Sequence, residues 1–152
     1  MYKGINQTSK EIVAIKIVNI EKLLQQYKTD EIVRAVGREV NILQRITYET
    51  DNPYIVKIID CCKVGEFVYI MLEYCGGGSL SDIQDERNGI LSEKDAKIII
   101  FQILNGLCPI HANNIAHRDL KPDNIFIKDK VFKIGDFGFA SDKDKFTTAL
   151  GT

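Results

Sequence analysis

The chain has 152 residues, enough for one ordinary domain or half of a large one. Its 20 Lys+Arg stand against 21 Asp+Glu, a formal net charge of −1, which gives no reason to expect general binding to nucleic acid or acidic membranes. With 45% apolar and 27% charged residues, the composition is that of a globular protein rather than a disordered one. The longest uncharged stretch lies within residues 98–116, but Gln102, Asn105, Pro109 and His111 interrupt it, so it does not read as a membrane span. Residues 1–30 are studded with Lys and Glu and lack the apolar core of a signal peptide. Of the four cysteines, Cys61 and Cys62 are adjacent and Cys75 and Cys108 stand alone. That spacing suits neither a disulfide scaffold nor a zinc site, and reads as reduced core thiols in a cytoplasmic protein.

In chain order, residues 11–18 are β-branched and predict a strand, with Val13, Ile15 and Ile17 on one face and Ala14 and Lys16 on the other. Ile32, Val36, Val40 and Leu43 recur at helical spacing and predict a helix over 30–46, with Asp30 as its N-cap. Asn52-Pro53 marks a break, and residues 54–60 and 66–73 read as two strands around Gly65. Cys75-Gly76-Gly77-Gly78-Ser79 is the strongest linker signal and reads as a flexible extension. It lacks the spacing of a phosphate-binding glycine loop. Ser92 before Glu93, Lys94 and Asp95 is a good helix start. Residues 98–107 are nearly all apolar, so that helix is expected to be buried on several sides, and Pro109 to end or kink it. Short strands follow at 125–127 and 131–134, and residues 136–152 read as loop.

The segment His117-Arg118-Asp119-Leu120-Lys121-Pro122-Asp123-Asn124 precedes Asp136-Phe137-Gly138. Upstream stands Val13-Ala14-Ile15-Lys16. In this order, and on these predicted strands and loops, the set resembles the signature of the eukaryotic protein kinases. Lys121-Pro122-Asp123-Asn124 looks like the serine/threonine version of the catalytic loop. The strings around Asp136 and Glu73 resemble those of autophagy-initiating and Ste20-like subfamilies. The resemblance implies an α+β, bilobal fold: a small antiparallel-β lobe with one helix over residues 1–72, a hinge at 73–79, and the start of a helical lobe from 80 to 152. It also implies ATP and Mg²⁺ in the cleft, a Ser/Thr-bearing protein substrate, and an activating kinase or autophosphorylation.

Phosphoryl transfer depends on positioning and charge neutralisation more than on covalent chemistry. Read alone, Lys16 would be a strand-edge lysine that discourages aggregation; beside the other motifs, the resemblance implies that it holds the polyphosphate. Glu39 matches its helix partner and lies beside the apolar face, with Glu31 and Glu49 as rival acids. Asp119 matches the catalytic base, and Lys121 would offset charge on the transferring group. Asn124 and Asp136 supply the oxygen ligands that Mg²⁺ prefers. Backbone groups of Glu73 and Cys75 would meet adenine, with Ala14, Leu72 and Phe126 as apolar walls. His117, Phe137, Leu43 and Ile58 match an internal apolar stack. Arg118 matches the arginine that pairs with an activation-loop phosphate. Thr148, then Thr147, are the phosphosite candidates, and Thr152 matches a position that contacts the catalytic aspartate.

Two departures stand out. By the resemblance, the chain is expected to start just after the Gly-rich loop, and it stops at Thr152 before any Ala-Pro-Glu. A chain cut there is expected to expose the apolar back of the 93–108 helix, to be marginal or prone to aggregate alone, and to transfer little phosphate. The competing reading is a non-catalytic, kinase-derived nucleotide-binding or scaffold module.

Overall fold

The computed structural model describes residues 1–25, 27–86 and 89–142, and only the backbone of Asp30 and Asp142. Four strands, β1 (Tyr2–Ile5), β2 (Ile12–Asn19), β3 (Ile58–Val64) and β4 (Phe67–Glu73), form one antiparallel sheet in the order β1-β2-β4-β3. The register sets Ala14 opposite Leu72 and Lys16 opposite Ile70, so β2 and β4 present neighbouring side chains to the same face. A one-turn helix, α1 (Ile20–Leu24), follows β2 and is capped by Asn19, whose side chain accepts from the Lys22 amide.

The long helix α2 (Thr29–Thr50) packs on this sheet. Ile32, Glu39, Ile42, Leu43 and Ile46 are buried along one stripe at helical spacing. The helix starts before the expected Asp30 cap: Lys28 occupies the cap position without a side-chain bond, and Asp30 falls in the first turn. Residues 54–57 are not the start of a strand as their apolar pattern suggested. They cross to the other lobe instead, where Val56 N–H donates to the Ile134 carbonyl and Ile134 N–H to the Tyr54 carbonyl. The sheet strand begins only at Ile58.

Beyond β4 come α3 (Leu80–Glu86) and α4 (Glu93–Ala112), then β5 (Ile115–Ala116), a 3₁₀ turn at Pro122–Asn124, the hairpin β6 (Ile125–Lys128) and β7 (Val131–Ile134), and β8 (Ser141–Asp142). The start of the expected loop is therefore partly ordered, since β8 pairs with β5. Ser92 caps α4 by accepting from the Asp95 amide. The glycine run is not a free extension. Gly77 donates to the Ile127 carbonyl and Ile127 to that of Gly78, both at 2.9 Å. A β-carbon on Gly77 would come within 2.8 Å of Ile127, so only glycine permits this approach.

Pro109 neither ends nor breaks α4, which runs on to Ala112. Proline lacks the N–H that would bond the Asn105 carbonyl. The Asn52 side-chain amide donates to that carbonyl instead, at 3.1 Å. This substitution explains how the helix passes its proline. One face of α4 is buried through Ile99, Gly106 and Ile110. Ile98, Ile100, Phe101 and Leu104 are exposed, so the helix is buried on fewer sides than its composition suggested. Cys62 and Cys108 are likewise exposed rather than core residues, and all four thiols are free. A single apolar cluster joins α2, the sheet, α4 and the β6–β7 hairpin through Leu43, Ile58, Ile70, Ile110, Ile134 and Phe137.

Candidate active site

The site forms where the sheet faces the β6–β7 hairpin. Lys16 on β2 donates to Glu39 Oε1 on α2 at 2.5 Å and to Asp136 Oδ1, just after β7, at 3.3 Å. Glu39 is buried, whereas the rivals Glu31 and Glu49 are exposed. Burial opposes the charge on Lys16, but Glu39 and then Asp136 outweigh it, so the ammonium pKa is raised above its usual value. The strand, the helix and the far hairpin thus converge on one amine.

Across the cleft, Asp119 and Lys121 form an ion pair at 3.1 Å. The Asn124 amide donates both to the Asp119 carbonyl, at 2.8 Å, and to its carboxylate, at 2.9 Å. The Lys121 ammonium, helped by Asn124, holds the Asp119 carboxyl below the usual carboxylate range, so it is ionised at neutral pH. With its nitrogen so engaged, Asn124 turns its side-chain oxygen away from Asp119, an orientation in which it could meet a cation. Gly135 N–H donates to the Asn124 carbonyl, which sets Asp136 beside this loop. Arg118 and Asp136 both hold left-handed backbone angles, φ 63° and 57°, a costly geometry for non-glycine residues and one that clusters at functional sites.

His117 supports the loop from beneath. It is buried, and burial lowers its pKa, so the ring is neutral at pH 7. Its Nδ1 accepts from the Asp119 amide at 3.3 Å, so Nε2 carries the proton and donates to the Gly135 carbonyl at 2.9 Å. The ring packs edge-on to Phe137 at 4.9 Å. Leu43 and Ile58 join Phe137 in the same core, as the resemblance implied. Arg118 Nε donates to the Phe139 carbonyl at 2.6 Å. Thr147, Thr148 and Thr152 lie outside the described residues.

Ala14, Leu72, Glu73, Cys75 and Phe126 line one small apolar cavity of about 130 Å³. Val56 lines it too, a residue the sequence did not single out. Its signal was only an apolar run read as a strand. The Glu73 amide donates to the Lys57 carbonyl at 2.9 Å, so that amide is not open to a ligand. Burial pushes the Cys75 thiol up to about 11, so it contributes backbone and bulk rather than a thiolate.

The Glu73 side chain forms a second, unforeseen cluster behind the hinge. Its Oε1 accepts from Lys133 at 2.9 Å and from the Lys57 amide at 2.9 Å, and its Oε2 from Lys128 at 3.2 Å. Burial alone would raise the Glu73 pKa, but Lys133 and the Lys57 amide reverse this and hold it below its usual value. Lys128 falls between the two short strands expected at 125–127 and 131–134, and Lys133 carries no signal apart from its strand.

Among the described residues, no group of three or more His, Cys, Asp or Glu is arranged to hold a metal. Two oxygen donors, from Asn124 and Asp136, fit Mg²⁺, which keeps few protein ligands and completes its shell with phosphate and water. No described helix is long and apolar enough to cross a membrane.

The family described as protein kinase domain matches residues 1–152. The chain is 38% identical over 157 residues to a probable serine/threonine-protein kinase, fhkD, of Dictyostelium discoideum, covering 97% of this chain and 20% of that protein. It is 37% identical over 145 residues to another probable serine/threonine-protein kinase of the same organism, covering 95% and 27%. A mitogen-activated protein kinase kinase kinase, bck1, of Aspergillus fumigatus matches at 37% over 149 residues, covering 95% and 9%. The chain therefore spans between 9% and 27% of the length of these relatives. From residue 1 to residue 152 the chain belongs to the protein kinase domain family.

Proposed function

We infer that this chain carries the catalytic centre of a serine/threonine protein kinase, which transfers the γ-phosphate of ATP to Ser or Thr hydroxyls of proteins. The observation that carries the reading is the Asp119–Lys121–Asn124 constellation facing the Lys16–Glu39–Asp136 chain. Serine/threonine specificity is supported by Lys121 in the catalytic loop and by the likeness to the two probable serine/threonine-protein kinases. Free thiols and near-neutral charge support a cytoplasmic setting.

The residues divide the work. Ala14, Val56, Leu72 and Phe126 enclose the adenine, and the Glu73 carbonyl and Cys75 amide orient it. Lys16, held by Glu39, pairs with the polyphosphate. Asn124 and Asp136 would hold Mg²⁺, which when bound would offset charge on the phosphate oxygens. Asp119 accepts the hydrogen bond of the substrate hydroxyl and takes its proton. That hydroxyl oxygen forms the new bond to the γ-phosphorus as the bond to the β,γ-bridging oxygen breaks, and the electron pair leaves on ADP. Lys121 stabilises charge on the group in flight.

The test is transfer of labelled γ-phosphate to a generic basic protein, with Asp119→Asn as the control. Asp119-dependent transfer supports the reading. Mg²⁺-dependent ATP binding with no Asp119-dependent transfer would leave the scaffold reading in its place.

A further inference from the structure

The short ribbon that follows the cleft holds a polar group with nothing to bond. Strands β5 and β8 are two residues each, with Ile115 opposite Asp142 and Ala116 opposite Ser141. Ser141 is 3% exposed. Among the described residues, its hydroxyl is the one buried side-chain polar atom without a hydrogen-bond partner. Such atoms are rare in folded proteins, because a buried hydroxyl gives up its bonds to water and recovers none.

The neighbourhood explains the missing bond. Residues directly opposite in an antiparallel pair share a face, and the methyl of Ala116 offers Ser141 neither donor nor acceptor. The polar side chains that follow Ala116 are committed elsewhere. His117 uses both ring nitrogens, on the Gly135 carbonyl and the Asp119 amide. Arg118 Nε donates to the Phe139 carbonyl. On the other strand, Phe137 and Ala140 ahead of Ser141 are apolar and buried.

Opposing forces therefore meet in this ribbon. The two ladder pairs, the Arg118 bond to Phe139 at 2.6 Å, the Ala140 amide bond to the Phe137 carbonyl at 3.0 Å and the burial of Ile115 and Ala140 hold it closed. The Ser141 hydroxyl favours opening, since it regains water once β8 leaves β5. A two-stranded ladder this short has little stability of its own.

From this balance we propose that Ser141 makes the β5–β8 ribbon a latch, closed against an open form in which β8 lifts from β5 and the hydroxyl is hydrated. Local openings of this kind draw on only part of the global unfolding free energy. The chain runs from Asp136 through Phe139 into β8, so the closed latch anchors the segment that brings the Asp136 carboxylate to Lys16. The latch does not depend on phosphate transfer, so it and the kinase reading can fail separately.

The test is hydrogen–deuterium exchange on the full chain, wild type beside Ser141→Ala and Ser141→Cys, read by mass spectrometry over residues 113–118 and 138–142. The amides of the β2–β4 pair serve as the internal reference. Ser141→Ala should slow exchange in the ribbon roughly tenfold, because it removes a hydroxyl whose desolvation goes uncompensated. Ser141→Cys, a weaker donor of similar shape, should fall between alanine and serine. The reference amides should keep their wild-type rates in both variants. Unchanged or faster ribbon exchange overturns the proposal, because the hydroxyl would then be neutral or bonded. Equal slowing in ribbon and sheet also overturns it, since the effect would be global with no separate latch. Either variant alone decides between these outcomes.

Discussion

Two charge clusters join the halves of this molecule, and they have opposite composition. In the cleft, one lysine, Lys16, lies between two carboxylates, Glu39 and Asp136. Behind the hinge, one carboxylate, Glu73, lies between two lysines, Lys128 and Lys133. The front cluster has surplus negative charge and is partly open, with 41% of the Asp136 side chain exposed. The back cluster is closed, with the Glu73 and Lys133 side chains 10% and 8% exposed. An open cluster short of cations suits a site that must receive ligands. A closed, hydrogen-bonded one suits a joint that must hold. Damage to the front should cost function, and damage to the back should cost stability.

The largest expected effect is at the floor of the cleft. Asp119→Asn should lower phosphate transfer by roughly 10²–10⁴-fold, with ATP affinity nearly unchanged. Steady-state kinetics on a protein substrate check this, and equal loss in kcat and in ATP binding would argue for a structural role instead.

Next is the back cluster. Glu73→Gln leaves Lys133 buried without a counter-charge and should destabilise the fold by about 3 kcal/mol, the lower end of the range for a broken buried pair. Urea unfolding reads this directly. The same pair predicts a pH effect. The folded Glu73 pKa lies below the ordinary glutamate value of 4.5, so in acid the unfolded state binds more protons. Its contribution is therefore present above pH 4.5 and fades as the pH falls through the folded value. The stability gap between wild type and Glu73→Gln should narrow over that window. A constant gap down to strong acid would show that the carboxylate charge is irrelevant.

Asn52→Ala comes next. It orphans the Asn105 carbonyl and also removes an acceptor from the Tyr54 amide, so about 1–3 kcal/mol should be lost. In a Pro109→Ala background, the restored N–H should shrink that loss.

The smallest stability effect is expected at Lys16, although its functional effect is large. Lys16→Arg keeps a cation beside the buried Glu39 and should cost within about 1 kcal/mol of stability, while its bulkier guanidinium lowers ATP affinity sharply. Isothermal titration with Mg²⁺-ATP beside thermal unfolding separates the two. A large drop in melting temperature would erase the contrast between the clusters.

What the sequence made legible follows the same division. Lys16, Asp119, Asn124 and Asp136 stand in short contiguous strings, so each neighbourhood reports its own chemistry. Three of the sheet's four strands and both long helices were legible, α2 from its helical spacing and α4 from its Ser92 cap and apolar run. The back cluster was not, because Glu73 and Lys133 lie 60 positions apart and no local pattern links them. The helix through Pro109 was misread for the same reason. The local rule is correct about the missing donor, and the replacement comes from Asn52. The glycine run misled in the opposite direction. Lack of side chains suggests freedom, but here it allows two backbones to meet at Ile127. The start of β3 was misplaced because residues 54–57 are apolar for a contact across the lobes rather than within the sheet.

The bond from Asn52 to Asn105 also bears on synthesis. Its donor and acceptor are separated by 53 positions. At typical elongation rates the donor leaves the ribosome on the order of 3–10 s before its acceptor. The helix interrupted at Pro109 therefore emerges onto a segment that already carries the missing donor, and its backbone gap can close as soon as it forms.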